Sequence, residues 1–351
     1  MSSMRTIYWD NGIKGVKMID QTLLPEIFEI LEIKSVDDLI EAIKRLAIRG
    51  APALEAAGGY GVVLATHERD LEDFGEFKGY VKGRANQLAN ARPTAVNLGV
   101  GVERVLKKVL ESSSIEEARK NALDEAEKIA EEDVIRNKLM GGFGAKLIED
   151  GDSILTICNT GSLATVEWGT ALGVIRSAVL EGKKVRVFAC ETRPLNQGSR
   201  LTTWELLNDG IDVTLITDSM AGIVMQKGMV DKVIVGADRI VRDGVFNKIG
   251  TYTLAVLAKE HGIPFFVAAP LTTFDWGRKM EDVIIEERSP EELKYCHVKC
   301  KNCIMAPENV KVYNPAFDPT PLKYVTALIT EKGVIFPPYE REIPKVLKLR
   351  E

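Results

Sequence analysis

Asp238 is the residue whose placement most suggests chemistry. It follows the β-branched run 232–235 and Gly236, which reads as a strand buried on both faces that ends where the backbone must turn. In doubly wound sheets ligands gather beyond the carboxyl ends of strands, so a carboxylate there is positioned for proton transfer. Asn247-Lys248-Ile249-Gly250-Thr251 predicts the opening of a helix whose free N–H groups, beside a lysine, suit a phosphate. Taken alone, the stretch reads equally well as a turn aspartate and a solvated lysine.

Other apolar runs end in the same way. Ile157-Cys158-Asn159-Thr160-Gly161-Ser162 is a small polar loop expected to open a helix. A thiol at a helix N-terminus has a lowered pKa and serves as base, nucleophile or donor, whereas simple burial is the competing role for a cysteine. Cys190-Glu191-Thr192-Arg193-Pro194, followed by Asn196-Gln197-Gly198-Ser199-Arg200, and then Thr217-Asp218-Ser219-Met220 close two more runs. Four successive strand ends thus bring polar loops to one rim, an arrangement natural for a site. The glycines do not follow G-x-G-x-x-G, so no dinucleotide is indicated. His67, His261 and His297 are the only imidazoles, which leaves little room for a histidine-centred triad or a His-rich zinc site. Cys296, Cys300 and Cys303 have a spacing used for iron–sulfur clusters. They lie late, in a charged loop, and read as a reduced surface loop or a local disulfide, so no metal or cofactor is expected.

The elements that must hold these residues divide into two groups. Runs at 5–9 and 14–19 flank Asp10-Asn11-Gly12, which predicts a hairpin. Ser35 with Asp38 predicts a helix start. Arg49-Gly50-Ala51-Pro52 and Arg92-Pro93-Thr94-Ala95 each set an arginine before a helix-opening proline, where an anion could approach the backbone; a capping arginine is the plainer role. A charged helix is expected over 114–146 as a connector. From Asp152 onward, runs at 153–157, 185–189, 213–216, 233–235 and 264–268 alternate with helical segments, which implies βαβ units and a parallel sheet. Runs at 310–312 and 333–336 could add edge strands. The expected organisation is α/β: a mainly helical N-terminal domain with a small hairpin over 1–130, then a parallel-sheet domain over 131–351.

With 351 residues, 45% hydrophobic and 28% charged, the chain has enough apolar content for full cores. A net charge of -5 argues against a nucleic-acid surface. No apolar run spans a membrane and no secretory leader is recognisable, so a cytoplasmic protein is expected.

The motifs RGAPA (49–53), RPTAVN (92–97), CNTGSLAT (158–165), GTALGVIRSA (169–178), ETRPLNQGSRLTTWEL (191–206), TLITDSMA (214–221), VIVGADRI, NKIGTYTLAVLAKEHGIPFFVAAPL and YNPAFDPTP (313–321), with IDQTLLP near the start, closely resemble the 5-methylthioribose-1-phosphate isomerases over nearly the whole chain. Relatives on that fold are ribose-1,5-bisphosphate isomerase and the noncatalytic regulatory subunits of the translation initiation exchange factor. The resemblance implies a Rossmann-like C-terminal domain, a homodimer, and conversion of the 1-phosphorylated aldose to its ketose in methionine salvage. By the same resemblance Asp238 is the general acid or base, Cys158 assists at the transition state, and Arg49, Gly50, Ala51, Arg92, Gln197, Asn247 and Lys248 contact a sugar-phosphate substrate. Glu55, Glu167-Trp168 and Cys190 depart from the family pattern and bear on pocket shape. The 1-phosphate locks the sugar ring, so an acid must assist its opening, and a hydrogen must then pass from C2 to C1 by proton transfer or hydride shift. An acid working near neutral pH needs a raised pKa, so an apolar wall is expected around Asp238.

Overall fold

The turn at Asp10-Asn11-Gly12 does join two strands. β1 (Ile7–Asp10) pairs antiparallel with β2 (Gly15–Ile19), and β2 then pairs with β3 (Ile30–Ile33), a third strand that the sequence pattern does not announce. Its outward face is charged or exposed, so it carries little alternation to read. The computed structural model describes residues 4–92, 96–295, 305–307 and 309–348. The chain forms two units, residues 2–137 with 160–169 and residues 138–159 with 170–351.

In the first unit Ser35 caps α1 (Val36–Lys44), its side chain accepting from the Asp38 N–H at 3.1 Å and donating back to the Asp38 carboxylate. α2 (Ala51–His67) begins at Gly50-Ala51-Pro52 and is buried on nearly every side. Its small residues let α3 (Phe74–Ala89) and especially α4 (Val96–Glu111) approach closely. A Cβ placed on Gly101 of α4 would lie 1.9 Å from the Glu55 carbonyl oxygen, so backbone meets backbone there. α5 (Ile115–Ala145) carries the chain onward, running straight through Gly141-Gly142.

The second unit is a three-layer α/β arrangement. Its elements in order are β4 (Ser153–Thr156), α6 (Ala171–Leu180), β5 (Arg186–Cys190), α7 (Thr203–Asn208), β6 (Asp212–Ile216), α8 (Ala221–Gln226), β7 (Lys232–Val235), β8 (Arg239–Ile240), β9 (Gly244–Lys248), α9 (Thr251–Glu260), β10 (Phe265–Ala268), α10 (Glu291–Lys294), β11 (Phe317–Pro321), β12 (Ala327–Thr330), β13 (Gly333–Ile335) and α11 (Tyr339–Leu347). The seven-stranded sheet has the order β13-β12-β10-β7-β4-β5-β6, parallel except for β13 at the edge. Alternate residues of each central strand face opposite cores. Leu155, Val233, Phe265 and Val267 join α8, α9 and α11 on one face, while Ile154, Ile234, Phe266 and Ala268 join the end of α5 with α6 and α7 on the other. Burial on both faces is why these strands read as unbroken apolar runs.

Strand β11, instead of the expected run at 310–312, pairs with β9 and then β8 in a separate three-stranded sheet. Its Pro319 and Pro321 are tolerated because β11 is an edge. Among the described residues no helix is long and apolar enough to cross a membrane. The Cys296, Cys300 and Cys303 loop lies outside the described residues.

Gly101→Ala should destabilise the protein by about 1–3 kcal/mol through overpacking of α4 on α2. Denaturant unfolding measures this, and an unchanged midpoint would show that the two helices separate freely.

Candidate active site

From β4 the chain winds through β5 to β6, then returns across the sheet to place β7 on the other side of β4. Connections therefore leave β4 and β7 in opposite directions, and the carboxyl ends of these two neighbouring parallel strands open a crevice. Leu155 is in register with Val233. Cys158 follows β4 and Asp238 follows β7, so the thiol and the carboxylate issue from adjacent strands on one rim.

Cys158 has φ 67°, a left-handed conformation that costs a non-glycine residue about 1–3 kcal/mol unless the surroundings impose it. Its N–H donates to Thr192 Oγ1 at 2.8 Å, and its carbonyl accepts from Thr202 Oγ1 at 2.6 Å. The next side chain, Asn159, is buried and donates to Glu205 Oε1 at 2.8 Å. The helix expected just after Cys158 is only a 3-10 turn at Ser162–Ala164, and the next α-helix begins at Ala171. Cys158 therefore does not stand at the N-terminus of an α-helix. Cys190, by contrast, is sealed in the core, where burial first and then the Asp218 and Glu191 carboxylates push its thiol up to about 12. It is structural.

Asp218, one of the rim acids, also serves the backbone, accepting from the Thr192 and Arg193 N–H groups, both at 2.8 Å. Gln197 is buried, and its Oε1 has no hydrogen-bond partner in the structure. Buried acceptors are almost always satisfied, so this oxygen stands out at the rim. The π-helical turn Gly198–Thr202 follows at once. It requires Gly198, because a Cβ there would lie 1.7 Å from the Cys190 carbonyl oxygen.

Asp238 is exposed. The apolar wall expected around it is absent in this structure, because the residue lies on the turn between β7 and β8, past the buried end of the sheet. Its N–H donates to the Phe246 carbonyl at 2.9 Å. The β8–β9 ladder begins with the Arg239–Phe246 pair, and Asp238 lies just before it. On the other side of β9, Asn247 faces Asp318 of β11. Residues directly opposite share a sheet face, so Asn247 and Asp318 lie side by side on one face of this small sheet. Asn247 is buried and donates to Thr251 Oγ1 at 2.9 Å. Lys248 reaches the Ala316 carbonyl at 3.3 Å and lies 5.1 Å over the Phe317 ring.

Asn247 and Lys248 end a strand and do not open a helix. α9 begins at Thr251 after Gly250, whose φ of 103° only glycine adopts freely. The mouth of α9 is also not free for an anion. Asp318 already accepts from Gly250 N–H at 2.7 Å and Tyr252 N–H at 3.0 Å. Burial raises its carboxyl against the lowering effect of those two N–H groups and of Lys248, leaving it pushed up to about 6. Sequence reasoning missed this residue as a site element, since its helix lies far upstream and only the pairing of β11 with β9 brings it there.

The remaining candidates, Arg49, Gly50, Ala51 and Arg92, belong to the helical unit. Arg49 Nε donates to Gln21 Oε1 at 3.1 Å, and Gln21 Nε2 donates to the Leu163 carbonyl at 2.7 Å. Gly50, at φ 95°, packs so tightly that a Cβ would meet the Ala164 carbonyl oxygen at 2.2 Å. Ala51 opens α2, whose N-terminus has no side-chain cap. Arg92 lies partly buried in the turn after α3.

A protein-family model described as the initiation factor 2 subunit family matches residues 47–337. A solved chain titled translation initiation factor eIF-2B, subunit delta, from A. fulgidus is 66% identical, with TM-score 0.91, and the match covers 99% of this chain and 100% of that one. The structure titled 5-methylthioribose 1-phosphate isomerase from Pyrococcus horikoshii is 46% identical, with TM-score 0.92, and the match covers 99% of this chain and 96% of that one. A curated methylthioribose-1-phosphate isomerase of Thermotoga maritima is 50% identical over 98% of each chain.

Because the folded Asp318 carboxyl binds its proton more tightly than an unfolded one, its contribution to stability should fall as pH rises from 3.8 through about 6. The stability advantage of wild type over Asp318→Asn should therefore shrink across that window in denaturant unfolding at a series of pH values. A constant difference would contradict the assignment.

Proposed function

Because the chain belongs to the initiation factor 2 subunit family, beside relatives named for one sugar-phosphate isomerisation, we propose that it converts 5-methylthioribose 1-phosphate to 5-methylthioribulose 1-phosphate in methionine salvage. The observation that carries the reading is the emergence of Cys158 and Asp238 from the neighbouring parallel strands β4 and β7, on either side of the point where the chain reverses its winding.

The chemistry asks for that pair. A furanose phosphorylated at C1 cannot open spontaneously, so the bond from C1 to the ring oxygen breaks only as that oxygen gains a proton. Hydrogen then passes from C2 to C1, and the 2-hydroxyl gives up its proton as the carbonyl forms. Asp238 is assigned to proton transfer as general acid or base, and Cys158 to the carbon framework, either moving the proton or stabilising the charge that develops there. The orphan Oε1 of Gln197 suits a sugar hydroxyl. Asn247 of β9 is assigned to the substrate as well. Arg49, Gly50, Ala51 and Arg92 of the helical unit and Lys248 of the α/β unit are each assigned to substrate contact. None of these steps calls for a cofactor.

We further propose a cytoplasmic homodimer. Leu215 on the edge strand β6, with Met220 and Ile223 just beyond it, is exposed, a grouping of apolar side chains that a second copy would cover.

Turnover of methylthioribose 1-phosphate, compared with ribose 1,5-bisphosphate, tests the reading. Asp238→Asn and Cys158→Ser should each lower kcat by roughly 10²–10⁴-fold while keeping a wild-type melting transition. Preference for the bisphosphate would reassign the substrate. Failure to turn over either sugar would favour a translation initiation factor role, as the A. fulgidus chain is titled.

A further inference from the structure

The motif running from Glu191 to Leu206 contributes Gln197 to the substrate assignment, yet two of its threonines, Thr192 and Thr202, hold the backbone of Cys158. Thr192 Oγ1 takes the Cys158 N–H and donates to the Cys190 carbonyl at 3.0 Å. Thr202 Oγ1 gives its hydrogen to the Cys158 carbonyl. Asn159 Nδ2 reaches both Glu205 Oε1 and, at 3.3 Å, Thr202 Oγ1. Glu205 is in turn fixed through its other oxygen by Arg176 at 2.8 Å, and Arg176 Nε pairs with Asp209 at 2.7 Å. Thr192, Thr202, Glu205, Asn159 and Arg176 are all buried. Both peptide groups of a left-handed cysteine are therefore held, and one holder, Thr202, is linked through Asn159 to a buried ion network.

We propose that Thr192, Thr202 and Glu205 are positioning residues for the isomerisation, a clamp that keeps Cys158 left-handed and so fixes where its thiol stands at the end of β4. The inference rests on Cys158 taking part in the reaction. Released from the clamp, a cysteine backbone relaxes to extended or right-handed conformations, which redirects its Cα–Cβ bond and takes Sγ away from the reacting carbons. A thiol placed by its own backbone needs no helix dipole, in keeping with the absence of an α-helix directly after Cys158. Thr192 itself has φ 66°, and Asp218 secures it through the Thr192 and Arg193 N–H groups. The positioning thus reaches back to the end of β6.

Steady-state kinetics of Thr202→Val, Thr202→Ser, Cys158→Ser and the Cys158→Ser/Thr202→Val double variant test the clamp. Thr202→Val keeps the side-chain shape and removes the donated hydrogen bond. It should lower kcat by roughly 100-fold, the scale of a small misplacement at a reacting centre, with KM nearly unchanged. Thr202→Ser, which restores the hydroxyl, should recover most of the rate. In the Cys158→Ser background Thr202→Val should lower the residual activity by less than about twofold, since the two residues act as one unit. Wild-type kcat in Thr202→Val, or full additivity in the double variant, would overturn the clamp while Cys158→Ser remains impaired. Undiminished activity in Cys158→Ser would instead overturn the reading on which it rests. Should Thr202→Val lose its cooperative melt, Thr192→Val and Thr192→Ser, which address the Cys158 N–H, carry the same expectations.

Discussion

The pairing of β4 with β7 is the constraint from which the rest of the α/β unit follows. Neither strand is a sequence neighbour of the other, and their parallel contact exists only because the chain winds out to β6 and returns across the sheet. A right-handed crossover on each side sends the following helices to opposite faces, and the two strand ends are left with no connection lying over them. Apolar burial on both faces drives this pairing; the polar loops are carried to the rim as a consequence.

What happens at that rim is governed by the accounting of buried polar groups. Asp218, which by type and position looked like a reactive acid, spends both carboxylate oxygens on backbone N–H groups. Asp318, which did not look reactive, occupies the mouth of α9. Gln197 is left with an acceptor that no described residue satisfies. A buried hydrogen-bonding group without a partner is costly, so the distinction between scaffold and receptor can be drawn from which of these groups are already engaged.

The helical unit solves a different problem. Its core is made by α2, whose alanines and glycines allow the helices to meet almost backbone to backbone, as Gly58 and Gly101 do at the α2–α4 contact. Close packing of this kind leaves few side-chain degrees of freedom to order on folding. It also gives a rigid support for the helix start at Gly50 and Ala51. The arginine just before that start is oriented by Gln21, a residue of the first β-segment region, so the hairpin and the helix entry are tied together.

Much of this was written in the sequence. The both-face-buried strands at Ser153–Thr156, Arg186–Cys190, Lys232–Val235 and Phe265–Ala268 are visible as short β-branched or aromatic runs, because a strand covered on two sides has no polar positions to interrupt it. Ser35 and Pro52 marked helix starts through capping and the missing N–H, which are local rules. The resemblance of the motifs is the ground on which Cys158 and Asp238 are proposed for one reaction. Non-local decisions were not legible. β8 is too short and β11 too proline-rich to carry a periodic signal, and only the pairing of β11 with β9 brings Asp318 beside Asn247 and over the α9 amides. The exposure of Asp238 and the left-handed backbone of Cys158 also had no local signature. Both depend on hydrogen bonds supplied by partners distant in the chain, and a hydrogen bond between distant residues exists only once tertiary packing has set the distance between its ends.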